Sequence, residues 1–450
     1  MGSARLPGGD VARDRRLSWL LGSSALSNLG DGIGKVAFPL LGASLTRDPV
    51  LIAGLSATAF LPWLLFALVS GALVDRVDRR KAMLLANTSR AVIVGALGIL
   101  VLFDATTIWL LYAMALLIGT VETIADSAAQ ALIPAVVPRS QLESANGKLQ
   151  SAEIVGQTFL GGPLGGVTFA VAASLPFVLN SAGFAIAAIF LLAIRGGYRP
   201  KVTGPAPKLR VQLAEGLTWV RSRPLMVQLV AFAAALALTS ELAQALLVLY
   251  ALEDLGLDIA AFGVFALVGG VGGLLGAAIA PRLTKVLSRR AVLTSAVAGC
   301  AIAFGVMGLV YEPISAALLF GVFAASVVTV NVIIGALRHA LIPEHLFGRV
   351  LGVWRTAVWG AIPLGALLGG VLAAWLNTRA VFLISGGLQL LLAGALWAVM
   401  AKFEAEIDSL GQVEDPVDSP ADSQIDRPVD GPVKDQGEPA LSEESAPAGA

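Results

Sequence analysis

Long stretches without a charged residue dominate the first 401 positions of the chain. Five of them are 21 to 26 residues long: Pro49–Val74, Ile259–Pro281, Ala291–Tyr311, Pro313–Leu337 and Ala380–Ala401. About 20 apolar residues in a helix are enough to cross the core of a lipid bilayer. The strict alternation of apolar and polar positions that marks a membrane β-barrel is missing. The pattern therefore predicts an all-α membrane protein that has the lipid bilayer as a partner.

The hydrophobic segments predict twelve transmembrane helices. They cover residues 17–45, 49–74, 82–103, 108–133, 145–172, 175–195, 224–251, 259–281, 291–311, 313–341, 350–376 and 380–401. The fifth and sixth share one charge-free run of 41 residues, which Pro176 interrupts. We therefore divide the chain into an N-terminal segment (1–16), a first six-helix half (17–195), a central loop (196–223), a second half (224–401) and a tail (402–450).

The two halves repeat each other in sequence. Residues 129–134 end the predicted fourth helix with Ala-Leu-Ile-Pro, and residues 338–343 end the tenth helix in the same way. The glycines and proline of residues 162–166 return at residues 363–365 and 369–370. Duplicated halves that move around a central site are common among secondary transporters. The repeat predicts two pseudo-symmetric six-helix bundles and favours transport as the function.

Charge separates the membrane part from the tail. The chain is 56% hydrophobic and 14% charged, against about 25% charged residues in a soluble domain. Residues 402–450 hold 3 basic and 13 acidic residues, which predicts a disordered acidic tail. With the N-terminus inside, 22 basic residues fall in cytoplasmic segments and only Arg47 and Arg379 fall outside. This bias predicts a multi-pass plasma-membrane protein with both termini in the cytoplasm.

The turn between the second and third helices carries a recognisable pattern, Gly71 followed by Asp75-Arg76 and Arg79-Arg80. It resembles the loop signature of the major facilitator superfamily. The resemblance implies a gating role for Asp75, Arg76, Arg79 and Arg80. The alternative is an ordinary positively charged cytoplasmic turn.

The fifth helix carries Gly156, Gly162, Pro163 and Gly166, which resemble the glycine-proline motif of exporters in that superfamily. Small residues at four-residue spacing allow helices to approach closely, and a proline can bend a helix. Helix packing alone would also explain these residues. Because the motif that these residues resemble is one of exporters, we favour export over import.

Two further segments narrow the resemblance. Glu122 and Asp126 precede Gln-Ala-Leu-Ile-Pro at the end of the fourth helix, and Asn28-Leu-Gly-Asp31 lies in the first. Together they look like the branch of enterobactin exporters and macrolide-efflux permeases, over residues 13–401. The resemblance implies that the first, fourth, seventh and tenth helices line a central cavity, that one chain suffices, and that the substrate is a small molecule.

Five ionisable residues are predicted near the middle of the membrane, where charges are costly and mark substrate or ion paths. They are Asp31, Lys35, Glu122, Asp126 and Glu241. Asp31 and Lys35 are four residues apart on one helix, so we expect them to neutralise each other. Glu122 and Asp126 have the same spacing and like charges, so both cannot easily be ionised together. A carboxyl that exchanges its proton near physiological pH could couple transport to protons; ion pairs with basic residues are the alternative.

Four charged residues are predicted nearer the cytoplasmic side, namely Arg90, Glu153, Arg338 and Arg355. Their mixed signs suit an inner gate of salt bridges, although static contacts between helices would use the same residues. Polar candidates for hydrogen bonds to a ligand are Gln157, Asn180, Gln244 and Asn331.

The sequence contains no phosphate-binding loop, no metal-ligand spacing and no nucleophile motif. We therefore expect neither an enzyme nor a cofactor nor a nucleic-acid partner. The favoured function is proton-coupled export of small drug-like molecules or secondary metabolites by alternating access. An importer of a nutrient or siderophore is the alternative, and sodium coupling or uniport stays open.

Overall fold

The computed structural model describes residues 8–74, 76–138, 141–199 and 209–404. This part of the chain contains fifteen α-helices and no strand. The helices are α1 (Gly8–Leu45), α2 (Pro49–Val74), α3 (Arg79–Leu102), α4 (Ile108–Val136), α5 (Leu142–Glu153), α6 (Gly162–Val171), α7 (Leu175–Ala193), α8 (Leu209–Arg221), α9 (Pro224–Gln244), α10 (Leu247–Leu249), α11 (Ile259–Val286), α12 (Arg289–Met307), α13 (Pro313–Leu341), α14 (Phe347–Trp375) and α15 (Thr378–Lys402).

Two π-helical segments join shorter helices into longer spans. Ile154–Gly161 connects α5 to α6, and Tyr250–Asp254 follows α9 and α10. Within the described residues, 11 helical stretches are long and apolar enough to cross a membrane. Helix α1 is less apolar because serines and charged residues, among them Asp31 and Lys35, lie along it, yet it packs lengthwise against α5, α6 and α7. With α1 as the twelfth span, the predicted fold class is confirmed.

The ends of the helices follow local capping. Thr107, Asp258, Ser288 and Asn377 each accept a hydrogen bond from the backbone N–H three residues later, at the starts of α4, α11, α12 and α15. Such caps satisfy one of the N–H groups that a helix leaves unpaired at its first turn. The short turns between spans therefore have defined starting points in the sequence.

Two regions differ from the predicted boundaries, and a third lies outside the described residues. Helix α1 begins at Gly8 instead of residue 17, because a helix continues past the bilayer wherever no residue stops it. The predicted central loop contains the helix α8, which packs against α14. The predicted disorder of the tail concerns residues 405–450, which lie outside the described residues.

The helix neighbours repeat between the halves. In the first half α1 packs against α7 and the α5–α6 span, α3 packs against α4 and α7, and α2 packs against α4. In the second half α9 packs against α15 and α14, α12 packs against α13 and α15, and α11 packs against α13. Across the halves, α2 contacts α14 and α6 contacts α11. The repeat seen in sequence is thus a repeat of packing.

The halves meet most closely at one end of the bundle, which we call the distal end because α1 finishes there; the opposite end is the proximal end. An apolar cluster at the distal end combines Leu40 and Ile52 of the first half with Leu246 and Leu249 of the second. Glycines of α6 and α11 touch at this end as well. The described residues therefore show a bundle that is sealed distally, and we call this cluster the distal seal.

Candidate functional site

Asp31 and Arg90 form a buried ion pair between α1 and α3. The Arg90 side chain is fully buried, and the Asp31 side chain is 8% exposed. The guanidinium lies 4.0 Å from the centre of the Phe184 ring and donates a hydrogen bond to the Ser27 hydroxyl at 3.1 Å. The expected neutralisation of Asp31 by Lys35 is therefore wrong, because α3 brings a cation to the face of α1 that carries Asp31.

The position of Arg90 also corrects its predicted place in an inner gate. Arg90 lies at the level of Asp31 and not near the proximal end of α3. It is fully buried within the first half, among Asp31, Ser27 and Phe184. The pair thus holds the first half together.

Lys35 instead points toward the π-helical segment. Its ammonium donates to the side-chain oxygen of Gln157 at 2.6 Å, and the Gln157 amide donates to Asn28 at 2.9 Å. The backbones come close because position 32 is glycine: a Cβ atom on Gly32 would lie 2.7 Å from the Cα atom of Gln157. A chain of polar groups therefore crosses from Lys35 to Asn28 inside the first half.

A cavity of about 200 Å³ lies beneath the distal seal, and we call it the distal cavity. Asp31, Lys35, Glu122 and Asn180 contribute its polar groups. Apolar and aromatic side chains form the remaining walls, among them Phe38, Pro39, Ile52, Phe60, Ile118 and Phe184. Largely apolar walls with a few placed polar groups are typical of small-molecule sites.

A second cavity of about 270 Å³, the proximal cavity, opens between α1, α3, α4 and α5. Asn28, Asp126, Gln130 and Glu153 line it. Glu122 and Asp126 interact electrostatically, as their spacing predicts, but they line different cavities. In the part of the chain that the structure describes, no hydrogen bond or ion pair satisfies Glu122, Asp126 or Glu153. Helix α4 thus carries one carboxylate into each cavity.

Glu241 lies elsewhere. Its side chain belongs to α9 and is 8% exposed, and it lines neither the distal nor the proximal cavity. Among the described residues it has no hydrogen-bond or ion-pair partner. A charged carboxylate in such surroundings is costly. Glu241 therefore lies apart from both cavities of this conformation, and its place on a transport path stays a prediction.

The arginines of the second half stack on tryptophans. The Arg338 guanidinium lies 4.8 Å from the Trp354 ring, and that of Arg355 lies 5.3 Å from the Trp359 ring. Trp359 in turn contacts Trp63 of the first half edge-to-face, with ring centres 5.2 Å apart. Arg355 is close enough to Asp126 to act on it electrostatically, yet the described residues show no salt bridge from Arg338 or Arg355 to Glu153.

The turn between α2 and α3 is anchored within the first half. Arg79 donates to the carbonyl of Ala131 at 3.0 Å, and Arg80 donates to the carbonyl of Leu191 at 2.7 Å. Both carbonyls lie near the last turn of a helix, α4 and α7 respectively, where partial negative charge accumulates. Arg76 is exposed, and Asp75 lies outside the described residues.

Asp78 is a residue of this turn that the sequence analysis missed. It caps α3 by accepting from the Lys81 N–H at 3.1 Å, and it accepts from the Tyr198 N–H at 2.9 Å. Burial works to raise the pKa of Asp78, but these backbone hydrogen bonds outweigh it and hold that pKa below its usual range. An Asp directly before a helix was the available signal. The contact ties the start of α3 to the segment after α7.

The glycines of the fifth span differ in what they contact. A Cβ atom on Gly156 would approach a backbone nitrogen of α1 to 3.0 Å, and one on Gly166 would lie 2.8 Å from the backbone nitrogen of Gly263 in α11. Gly162 has room, with its nearest neighbours 3.7 Å away. Pro163 stands at the first turn of α6, directly after the π-helical segment, where its missing N–H is tolerated. Gly166 is thus the glycine of this motif at which the halves touch most closely.

Sequence comparison places this architecture in a family. Residues 12–434 match the model of the transmembrane secretion effector family. The chain is a major facilitator superfamily transporter of this family. It is not an enzyme, since the family and its relatives are transporters.

Relatives of this transporter include named efflux pumps. It is 27% identical over 398 residues to the multidrug efflux pump Tap of Mycolicibacterium fortuitum, covering 84% of this chain and 93% of that one. It is 26% identical over 389 residues to the MFS-type transporter YfiS of Bacillus subtilis, covering 84% and 91%.

Solved structures share the fold. The nucleoside transporter NupG matches with a TM-score of 0.66 and 11% identity over 86% of this chain and 99% of that one. A bacterial homologue of the iron transporter ferroportin matches with a TM-score of 0.66 and 17% identity over 86% and 98%. At these identities the likeness concerns the fold alone.

Proposed function

We propose that this transporter exports small, largely apolar organic molecules in exchange for protons by alternating access. In this proposal both termini are cytoplasmic, so the proximal end faces the cytoplasm and the distal end faces the outside of the plasma membrane. One chain forms the whole path. The relatives named as multidrug efflux pumps support export.

The observation that carries proton coupling is the set of unpaired carboxylates in the first half. Asp126 is partly buried and is acted on by the like charges of Glu122 and Glu153 and by the opposite charges of Arg90 and Lys35. Because Arg90 is already paired with Asp31, it cannot neutralise the other acids fully. Binding of a proton removes the charge of such a carboxylate, so carboxylates without an ion pair at membrane depth are candidate members of a proton path.

The two cavities give each carboxylate a different access route. In this conformation Asp126 and Glu153 face the proximal cavity, while Glu122 faces the distal cavity beneath the seal. We propose that a proton taken up near Glu122 in the outward-facing state leaves through Asp126 in the inward-facing state. Lys35 and the neighbouring Asp31–Arg90 ion pair provide the fixed charges among which this proton would move.

Closure of the proximal end would bring the charged residues of the second half toward those of the first. Arg338 and Arg355 already lie at the face of their bundle, on tryptophans, with no ion pair in the described residues. We propose that they pair with Glu153 and Asp126 when the proximal end closes, which retains the predicted gate without Arg90. Arg79 and Arg80 would serve the same movement by anchoring the α2–α3 turn, and the gating role of Asp75 and Arg76 stays a prediction.

Efflux from intact cells tests this proposal. Cells that express the protein should retain less ethidium than control cells, and a proton ionophore should abolish the difference. Asp126→Asn and Glu122→Gln should each abolish the ionophore-sensitive efflux while the protein remains in the membrane. Asp104→Asn is the matched control, because Asp104 is exposed in the α3–α4 turn with a φ of 52°, which asparagine also tolerates.

The outcomes separate the alternatives. Full ionophore-sensitive efflux in both cavity variants would refute the assignment of coupling to these residues. A higher dye content in expressing cells than in control cells would favour the importer. Efflux that responds to sodium and not to the ionophore would replace the proton by sodium.

A further inference from the structure

The distal cavity contains two opposite charges that are not paired with each other. Lys35 and Glu122 both line it, and the described residues place no carboxylate within ion-pair distance of the Lys35 ammonium. Asp31 also lines the cavity, but Arg90 neutralises it from behind. The cavity therefore presents one free positive and one free negative group.

Neither charge is compensated by its hydrogen bonds. Lys35 donates to the Gln157 side-chain oxygen at 2.6 Å, which occupies one of its three donors and leaves its charge intact because Gln157 is neutral. Glu122 has no hydrogen-bond partner among the described residues. Lys35 is exposed and Glu122 is partly buried, and a charge beside the apolar walls of the cavity gains more from a counter-charge than it would in bulk water. Each of the two side chains can therefore pair with an opposite charge on a ligand that enters the cavity.

The walls between these charges are apolar. Phe38, Phe60 and Phe184 contribute aromatic rings, and Ile118 is among the aliphatic side chains. A ligand that fills such space needs an apolar, preferably planar, skeleton. Its charged groups must be placed so that they reach Lys35 and Glu122.

We propose that the distal cavity binds zwitterionic amphiphiles, small molecules that carry a carboxylate and a cationic nitrogen on an apolar aromatic skeleton. The carboxylate pairs with Lys35, and the cationic nitrogen pairs with Glu122. This inference specifies the substrate class and therefore rests on the proposed transport function for its biological meaning. The binding step itself requires no proton gradient.

Charge matching explains why the two simpler ligand classes fit less well. A purely cationic amphiphile would pair with Glu122 but would leave Lys35 uncompensated and would be repelled by it. A purely anionic one would have the reverse problem with Glu122. Repulsion between a charge of the site and a like charge on an unwanted ligand is a common source of specificity. The zwitterion satisfies both groups at once.

Gln157 is a positioning residue for this recognition. The π-helical segment Ile154–Gly161 places its amide between Lys35 and Asn28, so that the Lys35 ammonium is held in one direction. Because Gln157 is neutral, the charge of Lys35 remains available. The isosteric change Gln157→Glu would supply an internal counter-ion at the same place and would remove that availability without changing Lys35.

Equilibrium binding of two matched dyes tests the inference. Rhodamine 110 carries a free carboxylate and a cationic xanthene, and rhodamine 123 is its methyl ester, which is a cation only. The full-length protein in lipid nanodiscs should bind rhodamine 110 more tightly than rhodamine 123 in fluorescence anisotropy titrations. Lys35→Met and Gln157→Glu should each weaken rhodamine 110 binding by about tenfold or more and reduce or reverse the preference. Glu122→Gln should weaken the binding of both dyes.

A conservative variant and a folding control make the test specific. Lys35→Arg keeps the positive charge and should keep the preference for rhodamine 110, whereas a merely structural role of Lys35 would not distinguish arginine from methionine by dye. Every variant must give a single symmetric peak in size-exclusion chromatography. Equal affinity for both dyes in the unaltered protein, or an unchanged preference in Gln157→Glu, would overturn the inference.

The binding assay and the efflux assay fail separately. Loss of ionophore-sensitive efflux together with a preserved dye preference would refute proton-coupled export and leave the binding site in place. Gradient-driven ethidium efflux without any dye preference would refute the zwitterion site and leave the proposed function in place.

Discussion

Replacing Arg90 by methionine is expected to destabilise the protein more than removing both members of its ion pair. Arg90 is fully buried, and Asp31 beside it is 8% exposed, so Arg90→Met leaves a carboxylate without a counter-charge inside the first half. Breaking a buried pair from one side costs about 3–5 kcal/mol. Asp31→Asn should cost a similar amount, because it leaves the guanidinium unpaired.

The double variant Asp31→Asn/Arg90→Met removes both charges and therefore should recover part of this loss. The part of the loss that is not recovered is the contact between the guanidinium and the Phe184 ring, 4.0 Å apart, which is worth about 2 kcal/mol when desolvated. We therefore expect the double variant to be more stable than either single variant. The coupling between the two positions is the quantity of interest.

Unfolding of the purified protein in detergent, followed by the fluorescence of its 8 tryptophans, measures this coupling. Arg47→Met is the matched control: Arg47 and Glu253 form an ion pair at 3.6 Å with side chains 57% and 46% exposed, and breaking such a surface pair costs about 0–1 kcal/mol. A double variant that is as unstable as the sum of the two single variants would refute the reasoning, since the charges would then not be coupled.

Two further predictions concern the contact between the halves and the α2–α3 turn. Gly166→Ala should hinder distal closure, because its Cβ atom would lie 2.8 Å from the Gly263 backbone nitrogen. A cysteine placed at Ser56 in the distal cavity should then react faster with an impermeant thiol reagent added from outside. Gly162→Ala is the control and should leave that rate unchanged. Because the pKa of Asp78 is lowered in the folded protein, its contribution to stability is complete above the unfolded pKa, near 4, and is lost as the pH falls through the folded pKa. The wild-type Tm should therefore fall toward that of Asp78→Asn in acid. Parallel Tm curves for the two proteins between pH 7 and pH 3 would contradict this.

The spans themselves could be predicted from the sequence because the bilayer imposes a length on every apolar helix. Pro49–Val74 and Pro313–Leu341 have the predicted bounds, and the other spans differ from prediction mainly at their ends. These features depend on local sequence, so one chain was enough to locate them.

The partners of the charged residues could not be predicted in this way. Spacing on α1 favoured Lys35 as the counter-ion of Asp31, but Arg90 lies 59 positions away in sequence and reaches Asp31 through packing. Spacing on α4 correctly placed Glu122 and Asp126 one turn apart, yet it could not show that one turn separates two cavities. Partner choice depends on which helices are neighbours, and a single sequence does not state that.

The two halves share their packing but not their chemistry, and this bears on where coupling takes place. The interior of the second half is aromatic: Phe304 stacks on Phe323 with ring centres 3.7 Å apart, and the Tyr250 hydroxyl is satisfied by the Met307 carbonyl at 2.6 Å. The first half instead buries Arg90 and exposes unpaired carboxylates to two cavities. The second half does bury one carboxylate, Glu241 of α9, but this residue lines neither cavity. Rocking can thus be shared by both halves, while the carboxylates that reach the two cavities belong to the first.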